Sequence, residues 1–71
     1  MIYVFKTSVK SEKDIQQLKP YLNRMLSSAI WNFDLEDNDR IFRVDTSVYP
    51  QDTIIQLLLD KGFDCEELND L

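Results

Sequence analysis

Trp31-Asn32-Phe33-Asp34-Leu35-Glu36-Asp37-Asn38-Asp39-Arg40-Ile41-Phe42-Arg43-Val44 decides the architecture. Ala29, Trp31, Phe33 and Leu35 alternate with Ile30, Asn32 and Asp34, the period of two that marks a strand with one buried face. Phe42 and Val44 resume the inward set beyond Glu36-Asp37-Asn38-Asp39, a run of turn-forming residues. Setting Leu35 opposite Arg40 places Phe33 against Phe42 and Trp31 against Val44, so one register satisfies every inward pair. The stretch predicts an antiparallel hairpin.

Working outward, Ile2 to Val9 alternates Tyr3, Phe5, Thr7 and Val9 against Ile2, Val4, Lys6 and Ser8. It is apolar on both sides near its start, which suits a central strand. The period then changes. Ile15, Leu18, Leu22, Met25 and Leu26 recur at three- and four-residue steps, one stripe of a helix, with a bend expected at Pro20. Between strand and helix, Val9-Lys10-Ser11-Glu12-Lys13-Asp14-Ile15 reads as a capping box: Ser11 accepts from the backbone near Asp14, whose carboxylate answers the N–H of Ser11. Downstream, Pro50 suits a first helical position and Gly62 a left-handed stop, so a second helix is expected from about Pro50 to about Lys61. Ile54, Ile55, Leu57, Leu58 and Leu59 provide it with more than one apolar stripe. Phe63 and Cys65 open a short last strand, followed by an acidic tail from Glu66 to Leu71.

The order strand, helix, strand, strand, helix, strand predicts an α+β domain: a ferredoxin-like βαββαβ sandwich, an antiparallel sheet with two helices on one face. A chain of 71 residues has room for one such domain, covering 1–71. One Gly, two Pro and 44% apolar residues argue for regular elements joined by short turns. The net charge of −5 disfavours nucleic-acid and anionic-membrane partners, since phosphate contacts need a concentrated cationic surface. Lys6, Lys10, Lys13, Lys19 and Arg24 gather in the first part and carboxylates crowd the rest, so the charge is bipolar, the basic segment reading as a solvated helix face. The opening Met1-Ile2-Tyr3-Val4-Phe5 is too short for a signal peptide or a membrane span, and a cytoplasmic location is expected.

Four stretches together resemble a known family. Phe5-Lys6-Thr7-Ser8-Val9 as first strand, Tyr21-Leu22-Asn23-Arg24-Met25-Leu26 as helix end, Trp31-Asn32-Phe33-Asp34-Leu35 as second strand and Lys61-Gly62-Phe63 after the second helix resemble the heavy-metal-associated domain. This is the fold of small copper chaperones and of the amino-terminal modules of metal-transporting ATPases. The family holds its ion in a Met-x-Cys-x-x-Cys loop opening the first helix. Here Val9 stands in the place of the methionine, and Ser11 and Asp14 in the places of the two thiolates. Copper(I) requires soft sulfur ligands, so the resemblance implies the scaffold and not the ion transfer. A metal-handling protein using oxygen ligands at Ser11 and Asp14, or in the loop from Glu36 to Asp39, is the alternative reading.

Other residues invite functions that their surroundings do not favour. Cys65 is the only cysteine, which excludes an intramolecular disulfide, and its alternation with Phe63 suits a small buried apolar residue. Asp34, Glu36, Asp37 and Asp39 lack the glycine turn and distal glutamate of a calcium loop. With no His and no nucleophile elbow, neither an enzyme nor a cofactor is expected. The functional hint is the face turned away from the helices, where Ile2, Val4, Ile30 and Ile41 should gather. Two readings stand side by side: an interface for a second copy or another protein, and a modest wet patch flanked by Lys6, Asn32 and Arg43.

Overall fold

The structure is a computed structural model that describes residues 1–36, 38–47 and 51–68, with the backbone but not the side chain of Gln51. It has the element order β1 (Ile2–Thr7), α1 (Glu12–Met25), β2 (Ile30–Asp34), β3 (Ile41–Asp45), α2 (Gln51–Asp60) and β4 (Cys65–Glu67). The four strands form one antiparallel sheet in the order β2-β3-β1-β4, so β1 and β3 are central and β2 and β4 are the edges.

The hairpin register is the one that the sequence predicts: Phe33 opposes Phe42 and Trp31 opposes Val44. These pairs put the aromatic rings on one face, where Phe33 stacks on Phe42 at 4.4 Å and Trp31 meets both edge-on at 5.9 Å. Phe5 of β1 extends the group, its ring 6.0 Å from that of Phe42. Leu18 and Leu22 of α1 and Ile54 and Leu58 of α2 join Phe5, Phe42 and Val44 in one buried cluster, so both helices cover the same face. Leu59, the surplus apolar residue of α2, is left half exposed.

The ends of the elements follow their hydrogen bonds. Pro20 lies inside α1, which continues through it as a single helix. Gly62 terminates α2 at φ +90°: its N–H donates to Leu59 O at 3.1 Å and that of Phe63 to Leu58 O at 2.8 Å, a pair of bonds that satisfies two carbonyls of the last turn. The Phe63 amide is thereby committed to the helix, and β4 begins at Cys65 instead of Phe63, taking in Glu66 and Glu67 from the expected acidic tail. At the other junction β1 stops at Thr7, short of the expected Val9. The Val9 amide donates to Thr7 Oγ1 at 3.2 Å and the Ser8 amide to Asp64 O at 3.1 Å, so neither continues the ladder with β3. Pro50 and Asp37, given roles as helix start and turn residue, lie outside the described residues.

One sheet residue departs from expectation. Ile41 has the outward parity of Ile2, Val4 and Ile30, yet it is buried, at 5% exposure. It sits on a central strand between Lys6 and Asp34, its partners on either side. Both partners take part in ion pairs, Lys6 with Asp39 and Asp34 with Arg43, each at 3.8 Å, so the isoleucine lies between two tethered neighbours.

Candidate functional site

The β1–α1 junction is the first place to look for a bound ion, and its polar groups are engaged with each other. Ser11 has the extended backbone of an N-cap, and its Oγ accepts from the Asp14 amide at 3.1 Å. The Asp14 carboxylate accepts from the Lys10 amide at 3.2 Å, one residue earlier than the reciprocal bond to Ser11 that the sequence predicts. The box closes around the residue before the cap, because the chain turns there on its way out of β1. Ser8 next door accepts from the Asp64 amide at 2.8 Å and so ties the junction to the chain entering β4. Thr7, buried, donates from Oγ1 to Arg40 O at 2.7 Å. Val9 is fully buried in the core.

Two carboxylates of the acidic turn are likewise engaged. Asp34 accepts from the Glu36 amide at 3.2 Å as well as pairing with Arg43, and Asp39 pairs with Lys6. Arg40 closes the turn in the left-handed region at φ 51°, with its Nη1 donating to Leu35 O at 2.6 Å. Among the described residues, no group of three or more His, Cys, Asp or Glu side chains is placed to hold a metal ion. Cys65 is half-buried, and burial pushes its thiol up from 9.0 to about 12. A thiol held protonated is a poor nucleophile and a poor metal ligand.

What remains is the helix-free face of the sheet, and its two ends differ. At one end Ile30, Asp45 and Ile2 form a row across β2, β3 and β1. Ile30 is 77% exposed and Ile2 63%, and Met1 beside them is 79% exposed. Asp45 between them receives the amino-terminal ammonium at 3.3 Å. The next row is Asn32, Arg43 and Val4, with Val4 half-buried. The other end carries Asp34, Ile41 and Lys6 under the ion pairs already described. Of the four residues expected to make an apolar surface, Ile2 and Ile30 share the exposed end, Val4 lies one row in, and Ile41 is covered. Met1 and Asp45 complete the exposed end; extending the hairpin register to β1 would have shown Asp45 between the two isoleucines.

A second surface was not foreseen. A groove runs between α1 and the edge strand β2, lined by Ile15, Ala29, Trp31 and Phe33 with Glu12 and Lys19 on its rim. Its signal in the sequence is the aromatic pair Trp31 and Phe33, on a strand that among the described residues pairs with β3 alone.

No helix among the described residues is long and apolar enough to cross a membrane. Compared with known proteins, the chain matches no protein-family model, no curated protein and no solved structure.

Proposed function

We propose that the chain is a ferredoxin-like domain of heavy-metal-associated type that has kept the scaffold without the ion site, and that it serves as a non-enzymatic docking module. The strand order β2-β3-β1-β4 with both helices on one face supports that scaffold. The observation that carries the reading is a contrast within one small domain. The residues in the thiolate positions, Ser11 and Asp14, are engaged in a helix cap, while Ile2 and Ile30 stand 63% and 77% exposed around Asp45.

Apolar side chains grouped on a rigid sheet, with one carboxylate among them and Arg43 in the adjoining row, have the composition of a small protein-binding patch. The partner is another protein, because the acidic total of −5 repels nucleic acid and anionic lipid alike. A cytoplasmic setting suits a chain with one unpaired thiol.

Calorimetric titration with copper(I), zinc and calcium tests the absence of ion binding. No stoichiometric complex is expected, and a tight one with any of the three would replace this reading by the oxygen-ligand alternative. Capture from the native cell with wild type and with Ile2→Lys tests the surface. The reading fails if both chains retain the same partners.

A further inference from the structure

We infer that the β2 edge pairs with the β2 edge of a second copy, in antiparallel register about Asn32, to make one continuous sheet of eight strands. The seam shares Ile30 with the apolar end of the helix-free face but is made by the open edge of the strand, and the inference stands independently of the docking reading.

The two edges of the sheet are built differently. β4 is three residues long and carries Glu66 and Glu67, a short charged edge of the kind that resists further pairing. β2 is five residues of Ile30-Trp31-Asn32-Phe33-Asp34, free of Lys, Pro and Gly. Among the described residues its backbone bonds within the sheet run to β3 alone, so one side of the strand presents unpaired N–H and C=O groups. An edge of this kind is a template for another strand.

The residues of β2 suit a second copy of the same strand in a centred register. About Asn32 all five residues find a partner: Asn32 opposes Asn32, Trp31 opposes Phe33 twice, and Ile30 opposes Asp34 twice. A register centred on any other residue leaves part of the strand unpaired. The Trp31–Phe33 pairs fall on the helix side, where both rings are half-buried and already belong to the stack on Phe42, so the second copy continues that stack across the seam. On the other face no like charges meet, because Asp34 faces an isoleucine. The helices agree with this. β1 and β2 both run antiparallel to β3, so α1 returns antiparallel to β2, with Glu12 near Phe33 and Asp34 and with Lys19 further along the groove. A two-fold axis turns α1 end for end and brings the Glu12 end of one copy toward the Lys19 half of the other, a complementary pairing of charge.

The test uses the axis itself. Asn32 is exposed, so Asn32→Asp and Asn32→Lys leave the monomer folded, which circular dichroism checks. Each places two like charges face to face across the seam. Sedimentation equilibrium should show wild type as a dimer and each variant alone weakened by about tenfold or more, while an equimolar mixture of the two variants recovers the dimer through an Asp–Lys pair. Ile2→Lys should leave the dimer intact. A wild type that stays monomeric overturns the inference, as does a dimer indifferent to both Asn32 variants. Variants that remain monomeric when mixed would overturn the register.

Discussion

Both faces of this sheet carry large apolar side chains, and on the two faces those side chains meet opposite fates. On the covered face Phe5, Phe42 and Val44 are fully buried under Leu18, Leu22, Ile54 and Leu58. On the open face Ile2 and Ile30 are largely exposed, although isoleucine is as apolar as any of the residues opposite. The difference is parity: successive side chains on a strand leave on opposite sides, and only one side has helices to meet them. Parity is not sufficient, however. Ile41 leaves on the open side and is buried, because a central position gives it neighbours on two strands and those neighbours, Lys6 and Asp34, are held by ion pairs.

This contrast orders the effects of substitution. Phe42→Ala should be the most damaging, costing about 3–5 kcal/mol in urea unfolding, because the residue joins the aromatic stack to the core between both helices. A loss below about 1 kcal/mol would mean that the covered face is not the packed one. Ile41→Ala should fall between the faces, at about 2 kcal/mol, and its measured value tells how much burial on the helix-free side contributes beside burial under the helices. Ile2→Lys should change stability by no more than about 0.5 kcal/mol, since the side chain is already in water. A loss comparable to that of Ile41→Ala would show that the open face is a structural layer and remove the reason to assign it a partner.

Much of the fold is legible in the residues, and the reason is local. The hairpin register follows from Trp31, Phe33, Phe42 and Val44, whose period of two admits one pairing. The stop of α2 follows from Gly62, the only residue type that takes a positive φ there without strain, and the start of α1 from Ser11, whose Oγ reaches an amide three residues on. The candidate site is less legible. Ser11 and Asp14 reveal their type, which excludes a thiolate site, but not that the carboxylate turns back to Lys10. The groove beside Trp31 needs α1 and β2 to be brought together from distant parts of the chain.

Periodicity, capping and ligand type are properties of neighbours along the chain, so the alternation of strands and helices, the pairing of the hairpin and the lack of a sulfur ligand at Ser11 and Asp14 are all written in the order of the residues. Which isoleucines remain in water, where β4 begins and which strands form the edges of the sheet emerge only from the assembled fold. Those depend on residues far apart in sequence: the exposure of Ile41 is set by Lys6 and Asp34 on two other strands, and the openness of β2 by the fact that the sheet ends there.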